Sequence, residues 1–411
     1  MKKILIWNPF KLENVGGPSG YLYNIHEYLK QNPSDQIFFL SDLLDNNEKN
    51  KEDNSKNKSL LILVCKLLPS YIKKLYLFRC LKKILDSWLY IYNFLWAQFR
   101  LPVVIPQNIN LNDYDFIHFH SMPDFLRFMN SPLKYYGKKI FTSHCPCPWT
   151  DEKLFFEKKW IKCFRPIVLH HELQCYEHAD YIMFPCKESR EPYEKEPKIK
   201  EILKSNENKI FYIPTGLLKE SHPSDIDLNS LGIPPQSVGI GFFGRHTKMK
   251  GYDLLKDIAD TLLNKHDNLY FLCAGKGEIP PPTHSHWIEL GFINDVQNFL
   301  PKCDLYISPN QNTYFDLIIL EVLRAGTVAL LSNNGGNLFF KSLPKSEITG
   351  IDFFDMSSRI DLEEKVEKCI FEKNKNPILY MERKKANISL FSKHFTVNAF
   401  IKKYVATMRT L

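Results

Sequence analysis

The sequence predicts an α/β protein of two domains, each built on a parallel sheet. Three observations predict it. The chain has 411 residues, more than one hydrophobic core ordinarily serves. From Val238 to about residue 345, apolar runs of strand length alternate with helical stretches, as in a parallel sheet. Several runs end at a glycine or a histidine, the end of the strand where open α/β sheets bind ligands.

Composition narrows the partners. Hydrophobic residues make up 44% of the chain, ordinary for a globular protein. The net charge is +8, from 54 basic and 46 acidic residues. This mild excess suits anionic partners such as nucleotide diphosphates or acidic lipid. It is weak support for nucleic-acid binding, and no such partner is expected. Ten cysteines form no framework, and MKKILIWNPF reads as a first strand, not a signal peptide. A reducing cytosol is the expected compartment. No apolar run is long enough for a transmembrane helix.

The elements follow in order. Residues 3–9 read as a strand, followed by a glycine-rich loop and a helix with Leu22, Ile25 and Leu29 on one face. Residues 46–59 are highly charged and read as a disordered loop. Residues 60–100 read as mostly helical, rich in aromatics and basic. Residues 114–121 and 138–146 each read as a strand ending at a histidine, His120 and His144. A helix and strand follow from His171, and residues 207–216 read as the last strand of the first domain. That domain is expected over 1–217, with a linker from Pro214 to Pro235. The second domain is expected over 218–387. Residues 377–411 read as helical and amphipathic.

Four places carry candidate chemistry. The strand ending at Gly244 leads to Arg245 and Lys250. Arg presents a planar fork to phosphate oxygens, and Lys a point charge. Glu321 lies among Ile318, Ile319, Leu320, Val322 and Leu323, where an idle charge is rare. Gly335 and Gly336 follow the next strand. Near the N-terminus, Gly16 and Gly17 open a helix, where backbone N–H groups can approach an anion closely.

The order of these pieces, GIGFFGRHTKMKGYDLL, FLCAGKGE and FDLIILEVLRAGTVALLSNNGG, resembles the C-terminal domain of retaining family-4 glycosyltransferases of the GT-B architecture. The resemblance implies two Rossmann-like domains facing a central cleft, with a C-terminal helix, about 388–411, crossing back onto the first domain. It implies that Arg245 and Lys250 hold the departing diphosphate and that Glu321 accepts from the ribose hydroxyls. It implies that His120 contacts the donor sugar near its anomeric centre and that His144 lies beside it. Gly16 and Gly17 would serve the donor phosphates or the acceptor. No metal and no cofactor is implied. The donor would be a nucleotide diphosphate sugar, UDP- or GDP-linked. The acceptor would be a glycan or lipid-linked glycan of the capsule or lipopolysaccharide kind. The sugar would pass on one face, the donor's own phosphate oxygen taking the acceptor proton.

The chain also departs from that family. Thr313 stands where a second glutamate usually contacts the sugar, and Asp316 where a glycine adjoins the donor. Asp316 or the Asn310-Gln311-Asn312 run takes over the sugar, or selectivity differs, or transfer is weak. The last case is that of a non-catalytic partner binding a glycan or a sister enzyme. An epimerase of the same fold would need paired carboxylates, and Thr313 argues against it.

Residues 60–100 allow two readings: helices packed on the sheet, or a surface lying on an anionic bilayer with Lys73, Lys74, Arg79, Lys82 and Lys83 on lipid phosphate. The second places the protein at the inner face of the cytoplasmic membrane. Other signals fall away. HHELQC lacks the second histidine of a zinc helix, Cys145-Pro-Cys147 has no partner pair, and GKG at 275–277 lacks the Walker spacing.

Overall fold

The computed structural model describes residues 1–9, 12, 17–44, 76–100, 103, 105–106, 109–155, 157–220 and 224–411. The chain divides into two compact units whose segments interleave. One takes Met1–Leu12, Ser34–Met183 and Lys198–Phe211; the other takes Glu13–Pro33, Phe184–Pro197 and Tyr212–Leu411. Gly16, the charged loop 46–59, Lys73 and Lys74 lie outside the described residues.

The first unit is built on a six-stranded sheet. Its strands are β1 (Ile4–Trp7), β2 (Ile37–Phe39), β3 (Phe116–Phe119), β4 (Lys138–Phe141), β5 (Tyr181–Phe184) and β6 (Ile210–Tyr212), in the order β2-β1-β3-β4-β5-β6. β1 and β3 are buried throughout, as apolar parallel strands must be, and pair from Ile4↔Phe116 to Trp7↔Phe119. The order reverses between β1 and β3, the kind of switch point at which open α/β sheets bind ligands. His120 directly follows β3.

Two helical segments illustrate how this unit is tied. The described part of the basic aromatic stretch forms a helix over Tyr76–Tyr92, then a π-helical turn over Asn93–Ala97. His171 Nε2 lies 2.9 Å from the carbonyl of Leu95 in that turn. Glu172 accepts from the N–H groups of Trp149 (2.8 Å) and Thr150 (2.9 Å), the start of the helix Trp149–Phe155. The zinc-like HHE string thus serves to secure helices.

The second unit carries β7 (Val238–Phe243), β8 (Leu269–Ala274), β9 (Trp287–Glu289), β10 (Leu305–Ser308), β11 (Val328–Ser332) and β12 (Ile351–Phe354). Their order is β12-β11-β10-β7-β8-β9, and every neighbouring pair is parallel. This is a doubly wound sheet with its switch point between β7 and β10. The core gathers Ile240, Phe242, Phe271, Leu305 and Leu330 with Leu255, Leu262, Leu362 and Val366 from the flanking helices.

The C-terminal stretch is two helices, Pro377–His394 and Val397–Thr410. The break has a cause. Leu217 pairs with the backbone there, donating to Phe395 O (2.9 Å) and accepting from Val397 N (2.8 Å). Thr396 then caps the last helix, its Oγ1 accepting from Ala399 N. That helix packs on the helix Gly17–Gln31, through Phe400 against Tyr21.

Candidate active site

The loops after β7 and β10 flank the switch point of the second unit. Thr247 begins the first of them, its Oγ1 accepting from Lys250 N. Gly251 follows with φ +68°, and a Cβ there would stand 1.9 Å from the carbonyl oxygen of Pro309. Only glycine permits both the angle and the approach. Gln311 N donates to Met249 O (3.0 Å), joining the two loops.

A cavity of about 310 Å³ opens here, lined among others by Gly17, Gly20, Lys250, Asp316 and Glu321. Phe292, Ile293 and Asn294 line its wall. The helix Leu317–Ala325 points its N-terminus into this region. Asp316 is its N-cap residue but makes no side-chain cap. Its carboxylate turns away instead. Asp316 Oδ2 accepts from Lys250 Nζ at 3.3 Å and from Asn310 Nδ2. Among the described residues no side chain caps this first turn, which suits an anion.

Glu321 lies one turn along. Its carboxylate accepts no hydrogen bond from the described residues. Burial pushes its pKa up to about 7, with Arg324 pulling the other way. Arg324 itself donates to Leu218 O at 2.9 Å. A half-buried carboxylate without donors is costly unless a ligand supplies them.

The remaining expected residues fall elsewhere. Arg245 is exposed on the same turn and does not line the cavity. Thr313 is 0% exposed. Its Oγ1 donates to Asn334 O (2.7 Å) and accepts from Asn337 N (3.2 Å). Gly336 N donates to Thr313 O (3.0 Å), and Gly335 N donates to Glu191 Oε2 (2.7 Å). The Gly-Gly pair therefore packs against the loop after β10, and neither it nor Thr313 lines the cavity. Gly17 is exposed at the cavity edge, while Gly20 brings its helix onto Leu317.

In the first unit His120 Nδ1 lies 2.9 Å from His144 Nε2. The ring of His118 lies 4.0 Å from that of His120, and its Nε2 lies 2.8 Å from Thr142 Oγ1. Burial drives all three imidazoles below their ordinary pKa, His144 to about 3, so they are neutral at neutral pH. Neither His118 nor Thr142 was singled out in the sequence. The alternation in FIHFHS, which puts His118 and His120 on one face, is the signal that could have found His118.

Among the described residues no group of three or more His, Cys, Asp or Glu is arranged to hold a metal ion. No described helix is long and apolar enough to cross a membrane.

Comparison with known proteins gives this geometry a setting. Residues 237–351, less than half of the chain, match the family described as "Glycosyl transferases group 1". An uncharacterized glycosyltransferase of Methanocaldococcus jannaschii is 25% identical over 172 residues, covering 36% of this chain and 42% of its own. The match thus spans less than half the length of that relative. Among solved structures, Anabaena HepE in complex with UDP superposes with a TM-score of 0.59 at 13% identity, covering 100% of both chains. Sucrose-phosphate synthase from Thermosynechococcus elongatus gives 0.60 at 14% identity, covering 100% of this chain and 99% of that one. Staphylococcal TarM, solved with UDP and α-GlcNAc-glycerol, gives 0.51 at 14% identity over 71% of this chain and 54% of its own. The fold is GT-B, and the matched domain supports a glycosyltransferase.

Proposed function

We propose that this chain is a retaining glycosyltransferase that moves a sugar from a UDP- or GDP-linked donor to a glycan or lipid-linked glycan. The observation that carries the reading is Glu321. It is a half-buried carboxylate without a donor among the described residues, in a cavity that also holds Lys250 and a helix N-terminus that its N-cap side chain leaves uncapped. Ribose hydroxyls would supply the missing donors. Lys250, Arg245 and the first turn of Leu317–Ala325 would offset the charge of the departing diphosphate without a metal. His120 would meet the sugar near its anomeric carbon, with His144 beside it. Gly16 and Gly17 would serve the phosphates or the acceptor. Asp316 would take the sugar contact that Thr313, being buried, leaves open.

We place the protein in the cytoplasm, at the inner face of the membrane, with the helix Tyr76–Tyr92 as the lipid contact. A thermal-shift panel of UDP, GDP, ADP and their sugars tests the donor site. A ligand at 100 times its dissociation constant adds about 2.7 kcal/mol. Stabilisation by one nucleoside diphosphate is expected, and none by any would overturn the reading. Nucleotide binding without hydrolysis or transfer of any sugar would favour a non-catalytic partner. The anomeric configuration of the product, read by NMR, tests retention.

A further inference from the structure

The turn carrying Arg245 and Lys250 is backed by a polar cluster that does not line the cavity. Its centre is Glu289, the last residue of β9. Glu289 Oε2 accepts from Tyr252 Oη and from Trp287 Nε1, each at 3.2 Å. Its other oxygen faces His246 Nε2 at 3.5 Å. His246 is 4% exposed, and that nitrogen makes no hydrogen bond among the described residues. The His246 ring lies flat on Tyr252, centroids 4.0 Å and planes 5° apart. The backbone of His246 is held as well, donating to Lys276 O and accepting from Ile279 N, both at 3.1 Å.

These contacts have a common geometry. His246 adjoins Arg245 at the start of the turn. Tyr252 follows Gly251 at its end. Between them lie Thr247 and Lys250, joined through the Thr247 cap. One carboxylate thus meets both ends of a tight turn whose cations must be placed within a fraction of an ångström.

We propose that Glu289 is a positioning residue of the donor site, holding the phosphate-binding turn through Tyr252, on whose ring His246 is stacked. The proposal rests on the reading of that turn as the diphosphate site. The test compares UDP with UMP, and GDP with GMP, by calorimetry on the full chain. Only the diphosphates reach the turn with their second phosphate. Glu289→Leu is expected to weaken the bound diphosphate about tenfold and its monophosphate by less than about twofold. Glu289→Gln keeps an oxygen for Tyr252 and Trp287 and is expected to recover most of the loss. Should Glu289→Leu fail to fold, Tyr252→Phe carries the test, since it deletes one donor and keeps the ring beneath His246. About a threefold loss for the diphosphate alone is then expected. Folded variants that bind both nucleotides as the wild type does, or that lose both equally, overturn the assignment of Glu289 alone. A wild-type protein that binds neither UDP nor GDP overturns the donor reading and this proposal together.

Discussion

At the scale of single residues the site is a contest for charge. Lys250 is engaged by Asp316, so on the proposed reading a diphosphate would compete with a carboxylate for that cation. Lys250→Ala and Arg245→Ala are each expected to lower transfer at least about 100-fold, since leaving-group stabilisation carries a few kcal/mol. Asp316→Asn is expected to spare or strengthen nucleotide binding while cutting turnover. Full activity in that variant would move the sugar contact to His120. Glu321 makes a separate prediction with a definite sign. Its pKa near 7 in the free protein should fall once ribose hydroxyls donate to it, because they favour the ionised form. Binding then releases a proton between the bound and free values. Nucleotide affinity is expected to rise with pH up to about 7 and then level off. Calorimetry at pH 6 in two buffers of different ionisation enthalpy reads that proton directly. Equal heats in the two buffers would place Glu321 away from the ligand, and Glu321→Ala should flatten the profile.

At the scale of elements, the loops after β10 and β11 act as one piece. Thr313, Asn334 and Asn337 bond to one another, and a Cβ on Gly336 would stand 1.7 Å from Tyr314 O. This close packing predicts what a longer side chain does. Thr313→Glu would force a carboxylate into a site with no room. It is expected to destabilise the fold by about 2 kcal/mol or more, by overpacking and charge burial. Calorimetric unfolding would show it; an unchanged midpoint with a new donor preference would mean that the side chain reaches the sugar. Much of the second unit was legible, because its strands are continuous apolar runs: Val238–Phe243 is the strand the pattern predicts. Lys250 and Glu321 were legible too, since motif spacing fixes their place on a turn and a helix. What the pattern could not show was which groups meet. Thr313 facing inward, Glu191 occupying Gly335 N and Glu289 beneath His246 are contacts between distant segments, and periodicity carries no record of them.

At the scale of the whole molecule, the chain's linear order and its compact units differ. The sequence suggests one boundary near residue 217, yet Glu13–Pro33 and Phe184–Pro197 pack with the later residues. Short segments that leave one unit for another have no compositional mark, which is why pattern reading passes over them. The surface carries a prediction of its own. In the helix Tyr76–Tyr92, Ile84, Trp88 and Tyr92 recur every fourth residue and are 55%, 66% and 58% exposed. Lys82 and Lys83 are exposed beside them. Apolar side chains in a row at helical spacing need a partner, and aromatics with flanking cations match the headgroup layer of an anionic bilayer. The lipid contact is therefore expected to combine a Coulombic part with an apolar one. The first should fade with salt, because the screening length falls from about 10 Å at 0.1 M to about 3 Å at 1 M. Flotation with anionic vesicles should carry the protein up at low salt and release most of it at high salt. Trp88→Ala should weaken flotation at both. Equal binding to neutral and anionic vesicles would remove the Coulombic part, and no binding to either would mean that this helix serves the protein alone.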